Sequence, residues 1–488
     1  MWNRKSKKFS SRKSSLFGYI LPMLAAGFAH QTQGLTLNEY IESVKKQNQN
    51  YRSFIQQSEA AKEQMKEADL IFSPQLFGNA RVGHDKKLSS PPMLVFDDTK
   101  SENYQLGVSQ QFDFGLQTKL YYELGKMDFV GASFSNGAPN SYWDASPKIE
   151  LTLPLLGNGF GRTARANQQV ITLQNQIQKH SSEAQAETYL IQAEATYWRL
   201  VAAQESVRVQ EQALKAAQNI LAYVAKKKTM NLGESADVLQ AKALVENSQL
   251  QLLQGQNEER AARRAFNQFL NKEIQTAIPD LDTFNYERIA KIQVPQSRPG
   301  DRSDIKVAKS QTALSESTAV IAKERNRATL DIYGSYALNG RSEEINEALK
   351  NIDQSGRDTA FVGLRFSMPL NFSASDSAIN GAMKSAKAAE LNRQYKLFQQ
   401  EQEWTDLVEK FIEAQSTLKL ATSMEQAQRD KLLNERERLK QGRTTTYQVL
   451  LFEQDFSQSQ LARVRAASLI LSLQSQTQLY RYSSEGEK

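Results

Sequence analysis

Two long stretches of this sequence follow a helical pattern, and ordinary globular domains have no use for helices of such length. The first begins after Gly157-Asn-Gly-Phe-Gly161 and continues for roughly seventy residues without proline or glycine. It breaks once, at residues 229–235, and then resumes as far as Leu270. A related stretch lies between Asn371 and Tyr482, with a break at residues 440–447. At ~1.5 Å per residue the longer helices would reach roughly 100 Å, so the function must be one that needs length.

The apolar residues of the first stretch are typical of a narrow coiled-coil seam with wide polar faces. They recur at steps of about three and four residues and are Leu190, Ala193, Tyr197, Leu200, Val207, Leu214 and Leu221. A coiled coil between two chains is one interpretation. The break at Gly233 and the immediate resumption at Asp237-Val-Leu favour a chain that folds back antiparallel on itself.

The N-terminus has the composition of a secretory signal peptide. The chain carries a formal charge of +7, but six basic residues and no acid lie in its first thirty-four residues, so the remainder is nearly neutral and gives no argument for nucleic-acid binding. The apolar run Leu16–Phe28 precedes a predicted cleavage after Ala29, and a signal anchor is the alternative. The chain has no cysteine. No later segment approaches the length of a transmembrane helix, so a mature chain that crosses a membrane would need a closed β-barrel.

Between the opening helix and the first long helix the apolar period changes from about 3.6 to 2. The helical pattern from Leu35 to Phe72 is stopped by Pro74. Strands are predicted at residues 75–82, 104–112, 116–124 and 148–155, with a short turn at 113–115 and loops at 84–103 and 131–146. Amphipathic strands joined by short turns and longer loops are typical of transmembrane barrels. A soluble β-sandwich would alternate too.

The chain contains an internal repeat in its sequence. The segment from Val238 to Leu250 aligns with that from Val449 to Leu461, and Leu153-Pro-Leu155 matches Met368-Pro-Leu370. Residues 304–327 and 330–338 repeat the opening helix and first strand. The predicted organisation is a signal peptide (1–29), a first repeat (30–278), a connector (279–301), a second repeat (302–482) and a tail (483–488). The first repeat carries an extra hairpin around 113–115.

Taken together, these features resemble the TolC family of outer-membrane efflux and export proteins, over essentially the whole mature length. Each motif is weak alone, and their order, spacing and duplication are specific. The motifs are Leu37-Asn-Glu, Pro74, Pro154-Leu-Leu-Gly-Asn-Gly-Phe-Gly, Asn326…Asp331…Tyr336-Ala-Leu-Asn-Gly340, Pro369-Leu-Asn, Gly233…Asp237-Val-Leu and Gly442…Val449-Leu.

The resemblance implies a membrane α+β fold in which three copies close one outer-membrane β-barrel with four strands from each, or six if the extra hairpin joins the barrel. The alternative is that the hairpin is an extracellular or periplasmic embellishment. Long helices would continue the β-barrel as a coiled-coil barrel through the periplasm. It implies a passive exit channel of an efflux or type I secretion system, working with a periplasmic adaptor and an inner-membrane pump. The implied strand–helix junctions are Pro74, Pro154, Gly157, Gly159, Gly161 and Pro369, and the implied docking tips are Leu232, Gly233, Gly442, Arg443 and Thr444.

One departure from the family pattern concerns the periplasmic entrance. Family members often carry acids six and nine positions after the second tip glycine, where this chain has Gln448 and Leu451. Asp237 occupies the related place in the first repeat. An acidic entrance ring is therefore in doubt, and these three residues are the gate candidates.

The sequence offers no catalytic or cofactor-binding constellation. Gly157–Gly161 lacks the βαβ context and the downstream acid of a dinucleotide loop, and is interpreted as a turn from strand into helix. His30, His84 and His180 are isolated. We therefore expect no enzyme, cofactor or metal. The rival hypotheses are a periplasmic coiled-coil adaptor or scaffold without a channel, and a hydrolase with coiled-coil arms.

Overall fold

A computed structural model describes residues 35–87, 96–132, 139–353 and 356–480. The predicted signal peptide, the C-terminal tail, His30 and the end of the predicted second repeat lie outside the described residues. The helices are α1 (Leu37–Gln47), α2 (Gln49–Gln64), α3 (Arg162–Thr229), α4 (Ser235–Phe269), α5 (Tyr286–Ala290), α6 (Ser303–Arg325), α7 (Ile345–Lys350), α8 (Phe372–Lys440) and α9 (Thr446–Thr477). The strands are β1 (Gln75–Asp85), β2 (Asp98–Gln111), β3 (Gln117–Val130), β4 (Ser141–Leu156), β5 (Thr329–Leu338), β6 (Gly340–Ser342) and β7 (Asp358–Ser367).

The predicted opening helix is wrong in one respect, because it is broken at Asn48. Asn48 has an extended backbone, and its side-chain oxygen accepts a hydrogen bond from the Tyr51 N–H at the start of α2. Its side-chain amide donates to the Tyr189 hydroxyl at 2.8 Å and to the Phe269 carbonyl at 2.9 Å. The side chain is 1% exposed. Asn48 therefore ends α1 in order to satisfy buried groups on α3 and at the end of α4.

The strands form one antiparallel sheet in the order β1-β2-β3-β4-β5-β7, and the short β6 pairs with the outer end of β4. The hairpin β2–β3 pairs with β1 on one side and β4 on the other. The hairpin predicted around 113–115 is thus inside the sheet.

The predicted loops 84–103 and 131–146 are too long, because the strands extend beyond the apolar alternation that marked them. β1 continues to Asp85 and β2 begins at Asp98, while β4 begins at Ser141. Polar pairs such as Lys100 with Asp128 continue the ladder there. Backbone hydrogen bonds hold these ends together, and the side-chain pattern does not record them. Residues 88–95 of the first predicted loop lie outside the described residues.

The long helices agree with the sequence pattern. α3 has 68 residues and α4 has 35, and α8 has 69 and α9 has 32. α3 packs along α4 and α8 packs along α9, and α3 also contacts α9. Each long helix therefore folds back on its successor, as the breaks at residues 229–235 and 440–447 predict.

Two apolar cores lie along these helices. The central core joins α1, α3, α4, α8, α9 and the connector, and includes Tyr40, Tyr197, Phe266, Phe411 and Ile470. The tip core lies towards the helix breaks. It is formed by Ile220, Val224, Ala241, Leu432, Leu439, Val449, Leu450 and Phe452.

The predicted seam of α3 is only partly correct. Ala193, Tyr197 and Leu200 are buried in the central core. Farther along the helix, Val207 and Leu214 are only half-buried. The buried positions there are Val209, Ala217, Ile220 and Val224.

The connector at 279–301 contributes buried residues and a short helix to the fold. Leu281, Phe284 and Ile289 are buried in the central core, and α5 lies within the segment. Leu281 forms a parallel bridge with Leu35, next to the Leu35 N–H bond to the Asp280 carbonyl. The connector thus joins the start of the described chain to the helices.

Within the four described ranges, no helix combines the length and the apolar character needed to cross a bilayer.

Candidate functional site

The predicted site residues fall into two groups at opposite ends of the long helices. Gly157, Gly161 and Pro369 lie where strands β4 and β7 lead into α3 and α8. Gly233 and Gly442 lie where the same helices end. At ~1.5 Å per residue the two groups are separated by roughly 100 Å. The tip core contains residues from α3, α4, α8 and α9, so the two helix breaks lie side by side.

The second tip, between α8 and α9, ends its helix with a left-handed glycine. Gly442 has φ +73°, the Arg443 N–H donates to the Arg438 carbonyl at 2.8 Å, and the Gly442 N–H donates to the Leu439 carbonyl at 3.1 Å. This is the Schellman arrangement, which favours glycine because a side chain is strained at positive φ. Thr445 then caps α9 by accepting from the Gln448 N–H at 3.3 Å.

The first tip has the same backbone arrangement, but a different residue occupies the glycine position. Asn231 has φ +54°, and the Leu232 N–H donates to the Lys227 carbonyl at 2.9 Å. Gly233 has no positive φ; a Cβ there would stand 3.3 Å from the Lys227 Cβ. Asn231, and not Gly233, therefore has the left-handed position that Gly442 has at the second tip.

The gate candidates lie just beyond these turns. Asp237 is half-buried in the first turn of α4, where a carboxylate is favoured by the helix dipole. Gln448 is half-buried at the equivalent place in α9, and Leu451 is 39% exposed. Of these three gate candidates, the acidic one is therefore Asp237, at the first tip.

Buried ion pairs behind the second tip escaped the sequence analysis. Glu435 accepts hydrogen bonds from the Thr444 hydroxyl and from Arg438. Farther from the tip, Arg436 pairs with Glu453, which is 8% exposed on α9. Burial raises the pKa of the Glu453 carboxyl, and Arg436 opposes that shift. These contacts link α8 to the second tip and to α9. In the sequence, the one available signal is that the paired residues lie on opposite sides of a predicted helix break.

The strand–helix junction after β4 contains an unusual run of left-handed backbone. Gly157, Asn158, Phe160 and Gly161 have φ values of +54°, +67°, +55° and +74°. The Asn158 side chain accepts from the Thr163 N–H at 2.8 Å and so caps α3. Gly159 lacks a positive φ and has no atom within 4 Å of an added Cβ.

Gly161 is the position in this run where an added side chain would meet backbone atoms most closely. A Cβ there would overlap the Asp113 carbonyl oxygen and lie 2.7 Å from the Gly115 nitrogen, both in the turn of the β2–β3 hairpin. Arg165 donates to the same Asp113 carbonyl at 2.9 Å. The hairpin turn is therefore seated on the first residues of α3.

The three junction prolines have different surroundings. Pro154 is buried at the irregularity in the β4–β5 pairing. Pro74 is exposed directly before β1, and Pro369 is half-buried between β7 and α8. Proline has no N–H to donate, which suits the end or an irregularity of a ladder.

One face of the sheet is apolar across all six long strands. Cross-strand pairing gives a row that runs through every strand and consists of Leu76, Val108, Leu120, Ile149, Tyr336 and Ala360. Further rows on this face contain Leu151 with Val362, and Leu153 with Ile332 and Leu364. Val362 is 82% exposed and Leu364 is 69% exposed. Soluble proteins rarely expose an apolar surface of this continuity.

The opposite face carries polar and charged side chains. Lys148 pairs with Glu123, and the Tyr121 hydroxyl donates to Glu150 at 2.7 Å. Alternation between an apolar and a polar face is the pattern of a sheet that separates lipid from water.

Among the described residues, no group of three or more His, Cys, Asp and Glu side chains could hold a metal ion. His84 is 3.6 Å from Asp98, and His180 lies 3.1 Å from Glu183 on the same helix. Neither contact forms part of a nucleophile–base arrangement of the kind that hydrolases use.

No protein-family model and no curated protein matches the sequence. Solved structures do match. The outer membrane protein VceC from Vibrio cholerae aligns with a TM-score of 0.63 at 15% identity, over 91% of this chain and 96% of that one. The CmeC outer membrane channel of Campylobacter jejuni aligns with a TM-score of 0.64 at 15% identity, over 93% of this chain and 87% of that one. The MtrE outer membrane channel of Neisseria gonorrhoeae aligns with a TM-score of 0.62 at 15% identity, over 91% of this chain and 88% of that one. The chain therefore has the fold of the TolC-type outer-membrane channels, the family that its sequence resembles.

Proposed function

We propose that this protein is a passive exit channel in the outer membrane of a Gram-negative bacterium, with a large periplasmic part. The observation that carries the proposal is the sheet with one continuous apolar face, joined at Gly157–Gly161 and Pro369 to helices of 68 and 69 residues. The sheet supplies a lipid-facing wall, and the helices supply a wall long enough to cross the periplasm.

The channel is a homotrimer in this proposal. The sheet of one chain leaves β1 and β7 at its edges, and an exposed edge is a template for pairing with another copy. The first half of α8 supports this, because it exposes a stripe of large apolar side chains. The stripe consists of Phe372, Met383, Leu391, Tyr395 and Phe398, each between 53% and 63% exposed.

The two tips are the proposed docking site for a periplasmic adaptor. Leu232 is 71% exposed at the first tip, and Gly442, Arg443 and Thr444 form the second. An inner-membrane pump would supply the energy through that adaptor, so the channel itself is proposed to act without catalysis or a cofactor. Opening would displace the helices around Asp237, Gln448 and Leu451.

The alternative is a periplasmic coiled-coil adaptor or scaffold without a channel. The long helices fit that alternative equally well. The apolar sheet face does not, because a periplasmic sheet would have to cover it. A protein released from membranes by carbonate washing would favour the alternative.

The proposal is tested by adding purified oligomer to a planar bilayer. We expect discrete conductance steps, and an oligomer that dissociates only on heating in detergent. Leu364→Arg places a charge on the apolar face at a cost of about 2–4 kcal/mol near the bilayer centre, and should reduce insertion. Ser335→Arg, on the polar face, is the matched control. A monomer without conductance, or equal insertion of the two variants, would reject the proposal.

A further inference from the structure

We infer that hairpin β2–β3 spans the membrane, so that three copies close an eighteen-stranded barrel, with β1 of one copy pairing with β7 of the next. This inference rests on the proposed trimeric channel and specifies its width. Without the hairpin, each copy would contribute β1, β4, β5 and β7 to a barrel of twelve strands.

The first argument is the continuity of the apolar face through the hairpin. Val108 on β2 and Leu120 on β3 stand in one cross-strand row with Leu76 on β1 and Ile149 on β4. Tyr104 and Leu124 form a second apolar pair on the same face, four residues along the strands. Leu106 is 62% exposed and Leu120 is 61% exposed. A hairpin outside the bilayer would gain no stability by aligning its apolar face with the apolar faces of β1 and β4.

The second argument is the position of the hairpin turn. The turn at 113–115 contacts Gly161, the residue directly before α3, and Arg165 donates a hydrogen bond to its Asp113 carbonyl. The turn therefore lies at the level where the other strands meet the helices, on the periplasmic side. β2 and β3 have 14 residues each, more than the roughly 9–11 that a tilted strand needs to cross a bilayer. The hairpin thus starts at the boundary of the bilayer and is long enough to cross it.

The third argument is that the six strands can close. Each neighbour along the path from β1 to β7 is antiparallel. β1 and β7 therefore run in opposite directions, and pairing β7 of one copy with β1 of the next keeps the closed sheet antiparallel throughout. A barrel with an even number of antiparallel strands is the form that bacterial outer-membrane barrels take.

The consequence is a wide outer opening. Barrel diameter grows roughly linearly with strand number, so eighteen strands give a diameter about 1.5-fold, and a cross-section about 2.2-fold, that of twelve strands. The substrate class that this barrel admits includes solutes too bulky for a twelve-stranded opening.

Disulfide trapping tests the position of the hairpin, because the chain has no cysteine of its own. Asn79→Cys with Gln105→Cys joins β1 to β2, and Lys119→Cys with Glu150→Cys joins β3 to β4, all at paired positions. We expect both disulfides in most copies of the assembled, conducting oligomer. The control is Asn79→Cys with Ser146→Cys, which can bridge only if β1 lies directly beside β4. Trapping in that control, with none in the other two variants, would overturn the inference.

Polymer exclusion tests the width. Polyethylene glycols of graded size are added only to the side of the extracellular loops, and the largest one that still lowers the conductance gives the radius of the outer opening. A variant in which a short turn replaces residues 98–130 should show a cutoff radius about 1.5-fold smaller. An unchanged cutoff in a conducting variant would overturn the inference.

If the deletion variant does not assemble, the disulfide pattern of the full-length channel decides the strand number. Failure of the full-length protein to form a trimer or a pore would instead reject the proposed function. A conducting trimer that traps β1 beside β4 would reject only the eighteen-stranded barrel.

Discussion

Substitution of Gly161 by alanine tests the contact between the hairpin turn and the long helix. The native backbone has φ +74°, where an L-residue with a side chain costs about 1–2 kcal/mol. The new Cβ would also overlap the Asp113 carbonyl oxygen and stand 2.7 Å from the Gly115 nitrogen. Both are backbone atoms, so the turn itself must move. We expect Gly161→Ala to lower the free energy of unfolding by at least about 2 kcal/mol.

Gly159→Ala is the matched control, two residues away in the same segment. Gly159 has no positive φ and no atom within 4 Å of an added Cβ, so its substitution should change stability by less than about 0.5 kcal/mol. Guanidinium unfolding of the purified oligomer, followed by tryptophan fluorescence and by loss of the heat-resistant band, measures both variants. Equal midpoints for the two would refute the packing of the hairpin turn against α3.

Three further predictions concern the long helices. Burial raises the folded-state pKa of Glu453 above its ordinary 4.5, so its contribution to the free energy of unfolding should fall as the pH rises from below 4.5 through the raised pKa. Glu453→Gln should remove this part of the pH dependence, measured by denaturation between pH 4 and 7. A slope of opposite sign would mean that the ion pair with Arg436 dominates. At the tips, Gly442→Ala should lower the free energy of unfolding by about 1 kcal/mol, and Asn231→Gly should raise it by about 0.5 kcal/mol. Denaturation midpoints of the two variants that move in the same direction would contradict the shared left-handed turn. Phe411 is 1% exposed in the central core, so Phe411→Ala should cost about 3–5 kcal/mol in the same unfolding assay; a loss below about 1 kcal/mol would place it outside the cooperative core.

The long helices were predictable because their signal is local and repeated. The 68 residues from Arg162 to Thr229 contain no glycine or proline, and the buried residues Ala193, Tyr197 and Leu200 recur at helical steps. The strands were predictable in their middle parts for the same reason, since apolar and polar side chains alternate there. Their ends were not, because pairs such as Lys100 with Asp128 continue the backbone ladder without an alternation of apolar side chains.

The break at Asn48 could not be found in the sequence. Its cause is a set of hydrogen bonds to Tyr189 and Phe269, which are 141 and 221 residues away. The role of Asn231 was missed for a related reason. Asparagine tolerates the left-handed conformation, but the nearby Gly233 gave the more obvious signal for a turn.

The sequence by itself determined which long segments are helices and strands, the period of each and the order in which they follow one another, because these depend on side-chain patterns over short distances. Only the tertiary structure decided that β2–β3 lies between β1 and β4, since that depends on backbone pairing between separated strands. Likewise, the demand for glycine at 161 became evident only when the hairpin turn was placed against it. In the sequence, Gly157–Gly161 marks only a turn from strand into helix. In the folded chain, the same segment packs against the turn of the β2–β3 hairpin.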